Sequence, residues 1–86
     1  MPTLSIFFGI VIYIYWSDHN PPHIHARYAG DEAVFEIKTF AVLEGSLPKR
    51  ASAMVIEWMR EHQDELLEAW ELASRNIPPA RIAPLR

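Results

Sequence analysis

The stretch HIHARYAGDEAVFEIK, from His23 to Lys38, decides the fold because it has the pattern of a β-hairpin. Polar and apolar side chains alternate on both sides of Gly30-Asp31, a dipeptide that favours a two-residue turn. Such a turn fixes which residues of the two strands face each other. The predicted pairs are Ile24 with Ile37, Ala26 with Phe35, Tyr28 with Ala33, His25 with Glu36, and Arg27 with Val34. In this register the apolar residues match, and His23, His25 and Arg27 share the face that points away from the core.

Two strongly apolar segments, residues 4–8 and 10–16, precede the hairpin. They are rich in isoleucine, tyrosine and phenylalanine, which favour β-strands, and Gly9 between them is typical of a bulge or a tight bend. The second segment is apolar on both faces, which predicts a covered central strand. Residues 4–16 are too few to cross a bilayer as a helix, which needs about 20 residues. We therefore expect a cytoplasmic protein without a membrane segment.

The second half of the chain has the spacing of helices. After a short strand predicted at about residues 41–44, Ser46 is a suitable N-cap with Pro48 in the first helical turn. A continuous helix to about Arg75 would be roughly 45 Å long, so we expect a kink near residues 61–63. The predicted buried stripe consists of Ala51, Val55, Trp58, His62, Leu66, Ala69 and Ala73. Residues 77–86 are predicted to be extended, with Ile82 and Leu85 packing on the core.

These elements predict an α+β fold, with a small antiparallel sheet of three to five strands packed on a C-terminal helical segment. We expect residues 1–86 to form a single domain with a β-rich part at 1–45, a helical part at 46–76 and a tail at 77–86. The chain has no cysteine, which excludes thiolate metal sites and cysteine nucleophiles. A net charge of −3 does not support general nucleic-acid binding, which usually needs a basic face.

Three of the four histidines lie between residues 19 and 25, in a loop and strand start stiffened by Pro21-Pro22. The two histidines of the strand share one face, which suits chelation of a divalent metal ion such as zinc, nickel, manganese or ferrous iron. A third ligand would come from the loop, and Glu36 would be a fourth ligand or would orient His25. The alternative is a hydrogen-bonded structural cluster. The metal candidates are Asp18, His19, His23, His25 and Glu36.

The same strand face also permits chemistry without a metal. His23 and His25 would act as acid and base, and Arg27 would hold a phosphate, as in a metal-independent ribonuclease. A salt bridge between Arg27 and a nearby carboxylate is the simpler interpretation of that residue. The catalytic candidates from the sequence are therefore His23, His25 and Arg27.

Several motifs are distinctive as a set. They are Met1-Pro2-Thr3, Gly9-Ile10, the run Asp18-His19-Asn20-Pro21-Pro22-His23-Ile24-His25, Tyr28 with Gly30, Glu44-Gly45-Ser46-Leu47-Pro48, and Trp58, His62, Glu65-Leu66 and Trp70. With this set the chain resembles the bacterial Domain of Unknown Function 4160 family over nearly its whole length. The resemblance implies a small stand-alone protein, often encoded beside another small domain of unknown function. That arrangement is similar to a toxin–antitoxin pair, and some family members are labelled transcriptional regulators.

Three functions stay open at this point. The first is a histidine-rich site that binds a metal or a phosphate, in a protein that works with a small partner protein as a toxin–antitoxin-like module. The second is a non-catalytic protein-interaction or transcription-regulatory module with structural histidines. The third is a metal-independent RNase-like toxin. The sequence decides neither whether the protein is an enzyme nor its oligomeric state.

Overall fold

The computed structural model describes residues 1–86 and contains a five-stranded antiparallel sheet followed by two helices. This confirms the predicted α+β class. Each strand pairs with the next one along the chain, so the sheet is a simple meander. The strands are β1 Thr3–Phe7, β2 Ile10–Tyr13, β3 His23–Tyr28, β4 Asp31–Glu36 and β5 Val42–Gly45. The second strand is shorter than predicted, because the chain leaves the sheet after Tyr13 and forms the loop that carries Asp18.

The hairpin of β3 and β4 forms, but the predicted register is wrong by two residues. The turn is Ala29-Gly30, both with positive φ (48° and 89°), as a two-residue turn of this class requires. Tyr28 therefore pairs with Asp31. Moving the turn by one residue keeps the same faces together. The observed pairs are His23 with Glu36, Ile24 with Phe35, His25 with Val34, Ala26 with Ala33, and Arg27 with Glu32.

The helical segment is divided into two helices, and the break lies within residues 61–63, where the kink was predicted. Helix α1 is Lys49–Glu61 and helix α2 is Gln63–Ser74, with His62 at φ −124° between them. The predicted N-cap is wrong: Pro48 occupies that position, and Ser46 instead donates its backbone N–H to the Glu32 carbonyl at 3.2 Å. Ser46 is thus part of the pairing between β4 and the end of β5.

The core joins one face of the sheet to the buried faces of both helices. Every residue of the predicted helical stripe is fully buried except His62, whose side chain is 15% exposed. The tail packs as predicted, with Ile82 and Leu85 buried. The backbone N–H of Ile82 donates to the Leu4 carbonyl at 2.8 Å, and the Trp58 indole donates to the Ala83 carbonyl at 2.8 Å. Neither helix has the length and apolarity needed to cross a bilayer.

Candidate metal centre

The loop between β2 and β3 brings Asp18 to the start of β3. Its position depends on the end of α2, because the backbone N–H of Ser17 donates to the Ala73 carbonyl at 3.1 Å. The Ser17 hydroxyl adds a hydrogen bond of 3.0 Å to the Asn76 side chain. The loop also contains the cis peptide bond between Asn20 and Pro21. A helix end and a strand start therefore fix the loop from two sides.

The carboxylate of Asp18 lies beside the imidazoles of His23 and His25. Asp18 Oδ2 is 2.9 Å from His23 Nε2 and 3.8 Å from His25 Nε2. One ligand atom from each of the three residues lies within 4.8 Å of the other two. All three side chains are mostly buried, with exposures of 14%, 7% and 11%. These residues form the set that we call the Asp18–His23–His25 group.

His23 is held in a defined orientation at the start of β3. Its Nδ1 lies 2.7 Å from the Pro21 carbonyl. A carbonyl oxygen only accepts hydrogen bonds, so Nδ1 of His23 carries a hydrogen and donates a hydrogen bond to that carbonyl. The ring also packs against Trp70 of α2, with 4.9 Å between the ring centroids. Nε2 is therefore the nitrogen that faces Asp18.

His25 lies on the sheet face opposite the core, yet it is buried among aromatic rings. Its imidazole stacks on Tyr13 at 5.1 Å between centroids, and Tyr15 meets it edge-on at 4.5 Å. Neither ring nitrogen has a hydrogen-bond partner. The nearest acidic group on the Nδ1 side is Glu32, whose Oε2 is 3.5 Å away. A buried polar ring without partners is uncommon in native proteins and calls for an explanation.

Burial and neighbouring charges change the acidity of this group. Burial lowers the pKa of His25 below its ordinary value, and the charge of His23 acts in the same direction, against Glu32 and Asp18. Burial alone would raise the pKa of Asp18. The His19 amide, the His23 ring and the charges of both imidazoles outweigh that effect and leave the Asp18 pKa below its usual value. His25 is thus neutral and Asp18 is ionised near neutral pH, which are the forms that bind metals.

An open groove of about 480 Å³ lies in front of the group. Its walls include all three members and two further carboxylates, and no lysine or arginine lines it. The volume falls in the range of small-ligand sites, roughly 300–1,000 Å³. The lining residues are Tyr15, Asp18, His19, Pro21, His23, His25, Glu32, Val34, Leu43 and Glu44.

The structure separates the sequence candidates. His19 borders the groove and its Nδ1 is 3.0 Å from Asp18 Oδ1, but its side chain is 90% exposed. Glu36 is opposite His23 in the sheet, yet its carboxylate accepts a hydrogen bond from Thr39 at 3.0 Å. Arg27 lies over the ring of Tyr13 at 5.4 Å and does not line the groove. None of these three belongs to the Asp18–His23–His25 group.

Glu32 is the functional candidate that the sequence reasoning missed. In the predicted register Glu36 was opposite His25, and Glu32 was next to the turn. In the observed register Glu32 pairs with Arg27, which puts it on the same face as His25 and diagonal to it. If the turn is placed at Ala29-Gly30, the alternation of the strands puts Glu32 on the same face as His25.

Comparison with known proteins yields a family and nothing more detailed. Residues 9–71 match the family model described as Domain of unknown function (DUF4160). No curated protein and no solved structure matches the chain significantly.

Proposed function

The chain belongs to the DUF4160 family, whose description states no activity, and we propose from its geometry that the protein binds a divalent metal ion through Asp18, His23 and His25. One carboxylate and two neutral imidazoles form a donor set that zinc, nickel, manganese and ferrous iron all accept. The three side chains come from one loop and one strand, and their ligand atoms already converge. A metal ion would meet them with little rearrangement.

The observation that carries the proposal is the contact between His23 Nε2 and Asp18 Oδ2 at 2.9 Å. Since Nδ1 of His23 donates to the Pro21 carbonyl, a neutral ring has its lone pair on Nε2. That lone pair then faces a carboxylate oxygen, which is also an acceptor. A cation between the two atoms removes the repulsion, and it is either a proton or a metal ion.

The second histidine favours the metal over the proton. His25 Nε2 approaches the same oxygen, Asp18 Oδ2, at 3.8 Å and has no hydrogen-bond partner. A single proton between His23 and Asp18 leaves His25 unsatisfied, whereas one metal ion contacts all three. Ligand atoms at about 2.0–2.2 Å from a zinc ion lie roughly 3–3.5 Å apart. The two distances from Asp18 Oδ2 to the imidazole nitrogens, 2.9 and 3.8 Å, lie just below and just above this range.

The groove suggests that such a metal would keep exchangeable positions. Three protein ligands and an open side are typical of catalytic rather than structural zinc sites. A metal ion bound there would supply a Lewis acid or an activated water to a small ligand in the groove. His19, on the rim, is available as a further ligand, and its exposure makes it the least constrained of the candidates.

Calorimetric titration of tag-free protein with zinc and nickel at about pH 7.5, where unperturbed histidines are neutral, tests the proposal. Asp18→Asn keeps the shape of the side chain and removes the charge, so we expect its affinity to be lower by at least about tenfold. His62→Gln is the matched control, because His62 lies outside the group and pairs with Glu65 at 2.6 Å. Equal affinity for Asp18→Asn and the wild type would contradict the proposal.

A protein-interaction module with structural histidines is the second candidate. This candidate is supported by ring packing: His23 packs against Trp70, and His25 packs against Tyr13 and Tyr15. In that case the His23 ring would be a protonated partner of Asp18. Failure to bind any of these metals more tightly than about 0.1 mM, or ~5.5 kcal/mol, would favour this candidate.

The RNase-like function receives the least support from the groove. A phosphodiester would meet the carboxylates of Asp18, Glu32 and Glu44, and Arg27 is directed elsewhere. Incubation with RNA in the presence and absence of a chelator tests this function, and we expect no cleavage in the absence of metal. The two-protein module, its partner and the cytoplasmic location stay predictions.

A further inference from the structure

Glu32 and Tyr13 form a pair beside His25 that the metal-binding set does not use. We propose that this pair positions His25: the Glu32 carboxylate accepts a hydrogen bond from Nδ1–H of His25, which leaves the lone pair of Nε2 directed toward the metal. The inference rests on the proposed function for its metal, but the orientation of His25 is a property of the protein alone. Metal-binding histidines commonly donate their second ring N–H to a carboxylate or a backbone carbonyl.

The two histidines of the group share one pattern. Each directs Nε2 toward Asp18 Oδ2 and has an oxygen acceptor on its Nδ1 side. For His23 that acceptor is the Pro21 carbonyl, at hydrogen-bond distance. For His25 it is Glu32 Oε2 at 3.5 Å, and a closer approach of about 0.5 Å makes an ordinary hydrogen bond.

Glu32 is a positioning residue and not a ligand. It contacts the nitrogen of His25 on the side of the ring away from Asp18, and it is outside the convergent set of ligand atoms. Its side chain is 45% exposed, so a fixed orientation needs a second contact. Without such a contact, an exposed carboxylate would spend its time in several rotamers.

Tyr13 supplies that contact. Its hydroxyl donates to Oε2 of Glu32, the same oxygen that approaches His25. The ring of Tyr13 is almost fully buried and stacks on His25, with 17° between the two planes. One tyrosine thus holds both the imidazole and its carboxylate partner.

Metal affinity is the first measurement. Glu32→Ala removes the acceptor, and Tyr13→Phe keeps the stacked ring while it removes the hydroxyl. We expect both variants to bind zinc about 10–100-fold more weakly than the wild type, the usual effect of losing such a partner. Glu44→Ala is the matched control, because Glu44 lines the same groove on the neighbouring strand but does not contact His25. Equal affinities of Glu32→Ala and Glu44→Ala would overturn the inference.

The tautomer of His25 in metal-free protein is the second measurement, and it separates this inference from the proposed function. Ring-nitrogen chemical shifts, measured by NMR on isotope-labelled protein, tell which nitrogen carries the proton. We expect Nδ1–H in the wild type and in Glu44→Ala, and a change toward Nε2–H in Glu32→Ala. Glu32→Gln retains an amide oxygen as acceptor and is expected to restore Nδ1–H.

The two outcomes are independent. Wild-type protein that binds no metal would refute the proposed function, while the tautomer comparison would still decide the role of Glu32. An unchanged tautomer in Glu32→Ala would overturn the positioning role even where metal binds tightly.

Discussion

At the scale of the residue, His25 concentrates the unusual chemistry of this protein. It is buried, both of its ring nitrogens lack hydrogen-bond partners, and its pKa is lowered chiefly by burial. The sequence identified His23 and His25 and the loop carboxylate Asp18, because histidines at alternate positions of a strand share a face. The sequence did not predict that His25 is buried on that face. The rings of Tyr13 and Tyr15 lie on the same face and cover the imidazole.

The lowered pKa of His25 predicts acid sensitivity of the metal-free protein. The unfolded chain binds a proton at His25 near its ordinary pKa of 6.5, whereas the folded chain binds it only at lower pH. The unfolded state therefore gains protons first, and the free energy of unfolding decreases as the pH falls from 6.5 through the lowered pKa. Asp18 adds a further loss only below its ordinary value of 3.8.

Urea unfolding at several pH values measures this effect. We expect His25→Gln to show a smaller decrease in the free energy of unfolding than the wild type over the same acidic interval. An identical pH dependence for His25→Gln and the wild type would show that His25 does not cause the acid sensitivity.

Loss of the His23 ring should destabilise the fold, contrary to what a face directed away from the core suggests. The ring is buried, contacts Trp70 and bonds the Pro21 carbonyl. We expect His23→Ala to cost about 1–3 kcal/mol of stability, as for other losses of packed and hydrogen-bonded side chains. His62→Ala should cost less, because its hydrogen-bond partner Glu65 is 56% exposed and is hydrated by water once the ring is removed. Thermal unfolding measures the stability loss of both variants. A larger loss for His62→Ala than for His23→Ala would contradict the expected order.

At the scale of the element, sequence patterns located the strands, the hairpin and the helix break, but not the strand register. Ile24 opposite Ile37 and Ile24 opposite Phe35 are both apolar pairs, so matching apolar residues does not distinguish registers that differ by two. The register is set by the turn at Ala29-Gly30, in which Ala29 has a positive φ. Positive φ is uncommon for alanine, so the sequence does not predict a turn at this position. The error moved the predicted carboxylate partner of His25 from Glu32 to Glu36.

Substitutions at Ala29 test the turn directly, because asparagine and valine are expected to change the free energy of unfolding in opposite directions in the two registers. In the observed turn Ala29 has φ 48°, a conformation that asparagine tolerates and β-branched residues do not. We expect Ala29→Asn to stabilise the protein by about 0.5–1 kcal/mol and Ala29→Val to destabilise it by about 1–2 kcal/mol. If residue 29 belonged to the strand, valine would instead be favoured over asparagine. Chemical unfolding of the two variants gives the sign.

At the scale of the whole molecule, the candidate centre lies where the sheet meets the second helix. The loop that carries Asp18 bonds the end of α2 through Ser17, and His23 contacts Trp70 of the same helix. A metal ion there would join the loop to β3 beside α2, whose Trp70 packs on the His23 ring. Because the unfolded chain does not preserve the site, binding should stabilise the entire fold.

Metal should therefore raise the unfolding temperature of the wild type. Zinc at 100 times the dissociation constant is expected to add about 2.7 kcal/mol of stability, and a chelator should reverse the effect. Asp18→Asn should show little or no change at the same zinc concentration. A similar zinc-induced shift in both proteins would indicate binding elsewhere, for example at exposed histidines such as His19.

The position of a bound zinc ion decides whether Asp18, His23 and His25 are its ligands. Crystals of tag-free protein grown with zinc, with diffraction data collected on both sides of the zinc absorption edge, reveal the ion by its anomalous signal. We expect one strong peak about 2.0–2.2 Å from an Asp18 carboxylate oxygen and from Nε2 of both His23 and His25. A peak only at surface residues, or no peak in protein saturated with zinc, would contradict the proposal.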